Sequence, residues 1–147
     1  MKKIMMLGIA FSITGCVTLD PLPLYEASES TEVTIFRSGE LQGSFSEVYV
    51  GWQEKYFFSL APNEYTRVTV ANGFTTFNVK ADADKRSDLT IDVRQGRPIC
   101  LMLEVNPENI VAVNWYVPGY SLRQIPCLSD SDKAQYQFAP QQMDIQK

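Results

Sequence analysis

There is no histidine in this 147-residue chain. That absence removes Ser–His and Cys–His nucleophile pairs and most zinc sites, which draw on imidazole as base or ligand. Cysteine is scarce, with Cys16, Cys100 and Cys127 the only three. Without a histidine to complete a soft-metal site, neither a metal nor a cofactor is expected. No apolar run approaches the roughly 20 residues that a spanning helix needs. Glycine-rich phosphate cradles and a basic stripe are missing, and no acidic pair stands out as a glycosidase site. No catalytic residue is assigned, the chain is not expected to be an enzyme, and nucleic acid is not an expected partner.

What is present begins at the N-terminus. Lys2 and Lys3 are followed by a mostly apolar run, Ile4 to Ile13, and then by the small pair Thr14 and Gly15. A basic start, a short apolar stretch and small residues before a cleavage point form the export-signal pattern. The four residues "ITGC", Ile13 to Cys16, resemble the lipobox of bacterial lipoproteins. The resemblance implies cleavage after Gly15 and a diacylglycerol on the Cys16 thiol, which makes the membrane a partner through Cys16. Val17 stands where inner-membrane lipoproteins tend to carry Asp, so the resemblance points to the outer membrane.

Removing residues 1–15 takes away two lysines, leaving 11 basic residues against 17 acidic ones, a net charge of −6. An acidic domain on a lipid anchor is favoured to stand off an anionic surface. With Cys16 acylated, Cys100 and Cys127 remain as an even pair in an oxidising compartment, and a disulfide between them is expected.

Residues 16–30 contain Pro21 and Pro23 without sustained periodicity and are expected to be a partly extended tether. From Thr31 the pattern changes to short β-rich runs with turns every eight to twelve residues: "TEVTIFR", "FSEVYVGW", "KYFFSL", "YTRVTV", "FTTFNVKA", "LTIDVR", "PICLMLEV", "IVAVNWYV" and "SLRQIPC". Asn72-Gly73 is a hairpin signal. The spacing predicts an all-β domain over 31–128, a small antiparallel β-sandwich. Residues 129–147, with five glutamines, are expected to be a flexible tail with at most one helical turn. "DADKRSD", Asp82 to Asp88, lacks the glycine and the final glutamate of a calcium loop, and is expected to be a solvated inter-strand loop.

Strict alternation in "KYFFSL" puts Tyr56, Phe58 and Leu60 in the core, and Phe57 on the other face between Lys55 and Ser59. Phe57 is therefore a candidate partner surface, unless the tether or the tail covers it.

Val48-Tyr49-Val50, Thr66 to Gly73 and Leu89 to Gly96 are similar to motifs of bacterial lipoproteins catalogued as domain of unknown function 2846. The resemblance covers about half the chain through turn and core positions. It implies a transthyretin- or carboxypeptidase-regulatory-like sandwich and supplies no catalytic residue. The expected role is a non-catalytic, lipid-anchored binding or assembly module with an envelope protein partner, accessory to a secretion or surface apparatus. The alternative is a periplasmic inhibitor or immunity lipoprotein against an incoming enzyme.

Overall fold

A computed structural model describes residues 17–39, 47–94, 96–109 and 116–141. The signal region 1–15, the lipidation site Cys16 and most of the run Ile110 to Val117 lie outside the described residues. Among the described residues nine strands follow in chain order: β1 Ser30–Arg37, β2 Val48–Trp52, β3 Lys55–Leu60, β4 Glu64–Ala71, β5 Gly73–Ala81, β6 Ser87–Val93, β7 Ile99–Val105, β8 Tyr120–Ile125 and β9 Gln137–Phe138. One short helix, α1 Asp130–Lys133, precedes β9. The strands form a five-stranded sheet ordered β8-β7-β1-β4-β9 and a four-stranded sheet ordered β3-β2-β5-β6. This is the small all-β sandwich that the turn spacing predicts.

Alternation along the strands builds its interior. Val33 and Ile35, Val68 and Val70, and Leu101 and Leu103 point inward from the larger sheet, against Val48, Val50, Phe77 and Val79 of the smaller one. Full burial of each such side chain contributes about 1.5–3 kcal/mol.

Not every pair is antiparallel, because the chain repeatedly changes sheets. β1 pairs with β7 in parallel from Val33↔Ile99 to Arg37↔Leu103, and β9 pairs with β4 in parallel. Parallel neighbours need long crossovers, and the two sheet-switching excursions between β1 and β7 supply one.

Asn72-Gly73 also does not close a hairpin. β4 and β5 belong to different sheets, and Gly73, at φ 121°, bends one continuous extended stretch across the corner. Only Asn72 separates the two strands, too little for the two-residue loop that an antiparallel pair requires. Its backbone N–H donates to the Glu29 carbonyl at 2.8 Å, and its side-chain oxygen accepts from Thr31 Oγ1 at 2.6 Å. The corner is thereby tied to the entry of β1.

Of the segment 129–147, expected to be a flexible tail, the residues as far as Gln141 carry a helical turn and a short strand that pairs with β4. Ser129 caps α1 by accepting from the Asp132 N–H. Gln137 N–H then donates to the Asn63 carbonyl at 2.7 Å, and Ala139 N–H to that of Tyr65 at 2.8 Å. The cause lies beneath it. Phe36 points to the outer side of the larger sheet yet is fully buried, because Tyr65 stacks on it at 5.3 Å and Tyr136 meets it edge-on at 5.1 Å. The two aromatics of the glutamine-rich segment, Tyr136 on Phe36 and Phe138 on Tyr65, cap an apolar patch that the sheet would otherwise expose. The Cys100–Cys127 disulfide, spanning 27 residues, holds the start of this arm to β7. Cys100 faces outward from β7, opposite to its neighbours Ile99 and Leu101.

Candidate functional site

The tether expected over 16–30 is docked in its described part: Leu19 to Tyr25 run as a strap along the free edge of β3, and a 3-10 turn, Ala27–Glu29, leads into β1. Leu19 forms a parallel bridge with Tyr56, and Asp20 N–H donates to the Tyr56 carbonyl at 2.8 Å. Leu22 packs against the core, and Trp52 Nε1 donates to the Tyr25 hydroxyl at 3.4 Å. An open strand edge is a template for unwanted pairing, and covering it with a proline-bearing segment is one way to close it.

Opposite the strap stands the β2–β3 hairpin, whose turn is Gln53-Glu54. Both residues have positive φ, 52° and 66°, as a two-residue type I′ turn demands, although neither is the Asn or Gly that adopts this geometry cheaply. Neighbouring strand β5 compensates. Gln53 N–H donates to the Thr76 carbonyl at 3.1 Å, and Glu54 N–H to Asn78 Oδ1 at 3.2 Å. Asn78 in turn donates from Nδ2 to the Lys55 carbonyl at 3.2 Å and is buried. Gly51 completes the cradle, since a Cβ there would collide with the Lys55 carbonyl oxygen.

Here the alternation expected for "KYFFSL" breaks. Val50 pairs with Phe58, but Gly51 pairs with Tyr56, so Phe57 is the extra residue of a β-bulge. A bulge resets the side-chain parity beyond it. Phe57 therefore turns toward Trp52, with ring centroids 4.3 Å apart, and packs half-buried against the core. Tyr56, expected in the core, is half-buried beside Asn78 and the strap, while Phe58 and Leu60 are buried as expected.

The strap and the hairpin enclose a cleft of about 220 Å³, walled by Pro21, Pro23, Tyr25, Trp52 and Phe57, with Asp20 and Lys55 as its charged groups. On the other side of Phe57 a groove runs between the strap and the C-terminal arm, past Leu19, Leu22, Ser59 and Pro140. Phe57 is thus a shared wall of two recesses and not a free-standing exposed ring. The arrangement offers apolar and aromatic surface with two opposite charges, suited to contact with an extended or apolar partner. Among the described residues, no group of three or more acidic or cysteine side chains could hold a metal ion. No helix among them is long and apolar enough to cross a membrane.

Two further polar positions were not visible in the sequence. Asp84, inside the segment expected to be a solvated inter-strand loop, is buried and accepts the Gly119 N–H through both carboxylate oxygens at 3.1 Å. Burial pushes its carboxyl above the usual carboxylate range, while hydrogen bonds from the backbone of Gly119, Lys85 and Ala81 pull the other way. Arg37, also buried, donates to the Leu60 carbonyl of the opposite sheet and lies 5.4 Å over the Tyr120 ring. Desolvation lowers the pKa of its guanidinium. Both residues pin the pole of the sandwich remote from the hairpin. A charge pattern in a loop or at a strand end carries no signal of such burial, since the enclosing residues are distant in sequence.

No family model, no curated protein and no solved structure matches this chain.

Proposed function

We propose that this protein is a lipid-anchored envelope lipoprotein, acylated at Cys16, whose β-sandwich serves as a non-catalytic binding or assembly module. Its partner is an envelope protein, and its role is accessory to a secretion or surface apparatus. The observation that carries the reading is the signal region ending in "ITGC", placed directly ahead of the folded domain. With a thiol as the only strong nucleophile at that point, thioether formation and cleavage before Cys16 follow from the motif. Val17 directs the mature protein to the outer membrane on the same reasoning. A module of this kind acts by presenting surface rather than by catalysing a reaction.

Metabolic labelling with a clickable fatty acid tests the anchor. Wild type should be labelled and retained in the membrane fraction, and Cys16→Ser should lose both properties. Label persisting in Cys16→Ser would refute the assignment. Crosslinking followed by purification from detergent-solubilised envelopes tests the module: a stoichiometric envelope protein should co-purify with wild type. Recovery of the protein alone under those conditions would count against an assembly role.

A further inference from the structure

The strap that covers β3 also fixes how far the domain stands from its anchor. A free tether over 17–30 would span about 45 Å when extended, at roughly 3.3–3.6 Å per residue. That reach is not available to this chain, because Leu19 is bridged to Tyr56 and Asp20 is hydrogen-bonded to the same residue, so the stand-off favoured by its net negative charge is limited by the docked tether. Three peptide units separate Cys16 from Leu19, so an acyl anchor on Cys16 is joined to the strap by at most about 11 Å of chain.

We infer that the strap side of the sandwich, with the β3 edge behind it, rests directly on the bilayer; this inference depends on acylation at Cys16. The occupant of the surface is the lipid headgroup region. Apart from the short reach, the strap's own side chains favour it. Leu22 turns inward to the core, whereas Leu19, 46% exposed, and Leu24, 79% exposed, turn outward with Pro21. Two of the five large apolar side chains exposed among the described residues thus lie within eight residues of the anchor. On a lipid surface they add apolar contact to that of the acyl chains. The β6 and β8 edges, across the sandwich from β3 and β9, then face the aqueous compartment.

The test uses the full lipidated mature protein on vesicles of phosphatidylethanolamine and phosphatidylglycerol doped with a dibrominated phospholipid, whose bromines quench tryptophan at short range. Leu24→Trp places a reporter on the strap at an exposed position. Gln124→Trp places one on exposed β8, four strand spacings or about 19 Å across its sheet from β9. Added emission from Leu24→Trp should fall in brominated relative to unbrominated vesicles, and that from Gln124→Trp should not. If both proteins are retained on vesicles yet Leu24→Trp is unquenched, or both are quenched equally, the apposed face is wrong while the anchor stands. If neither is retained, the anchor reading itself fails and this inference falls with it.

Discussion

The β-bulge at Phe57 makes a quantitative claim about stability. Strict alternation would leave Phe57 on the solvent side, and its truncation would then cost almost nothing. In the structure it is half-buried, with its ring 4.3 Å from that of Trp52. Half of a Phe burial amounts to about 1–1.5 kcal/mol, and an aromatic pair adds about 0.5–1.5 kcal/mol. Phe57→Ala should therefore destabilise by about 2 kcal/mol. With a urea slope of about 1–3 kcal/mol per molar for a domain of this size, the midpoint should fall by about 1 M. Phe58→Ala is the internal scale: its side chain is 3% exposed in the central core, and the loss should be about 3–5 kcal/mol. The measurement is equilibrium urea unfolding of the non-lipidated domain, followed by tryptophan fluorescence and by far-ultraviolet circular dichroism. A shift for Phe57→Ala below about a fifth of that for Phe58→Ala would show that the bulge does not turn this ring inward.

Three other perturbations follow from the same geometry. Cys127→Ser removes a crosslink over 27 residues, for which chain entropy predicts about 3.5 kcal/mol, and hydrogen exchange at Gln137 and Ala139 should speed up; unchanged exchange would mean that the arm holds without its bond. Replacing the turn Gln53-Glu54 by Asn-Gly relieves two positive-φ side chains and should raise stability by about 1 kcal/mol, seen as a higher melting temperature, since the exposed Arg86–Glu54 pair contributes little; a lower melting temperature would refute the strain. Asp84 holds its proton to higher pH in the folded state than in the unfolded one, so its contribution is complete below the ordinary carboxylate range and falls as pH rises through the raised pKa. Asp84→Asn keeps an acceptor for Gly119, so the urea midpoint of wild type relative to this variant should decline across that acid window; a flat or rising difference would overturn the assignment.

Properties that depend on local order are legible in the chain alone. Period-2 runs between turn residues are sufficient for strands, and the amphipathic run Leu89 to Val93 appears as β6 with Ile91 and Val93 buried. Composition bounded the chemistry, because the missing histidine is a fact of the chain and not of its fold. The pairing of Cys100 with Cys127 was legible because only two thiols remained once Cys16 was assigned to lipid.

Tertiary structure decided everything that rests on what lies opposite a residue. An Asn-Gly pair makes a hairpin only when the flanking strands share a sheet, and here the chain turns a corner at Gly73 instead. Phe57 turns inward because the β2–β3 register shifts by one residue between Val50 and Gly51, where the missing Cβ leaves room for the Lys55 carbonyl, a feature of the neighbouring strand. The prolines of the strap and the glutamines of the arm read as solvated chain because their partners, Tyr56 in one case and Phe36 in the other, lie dozens of residues away. Burial is a property of pairs of segments, and a single segment's composition specifies only half of each pair.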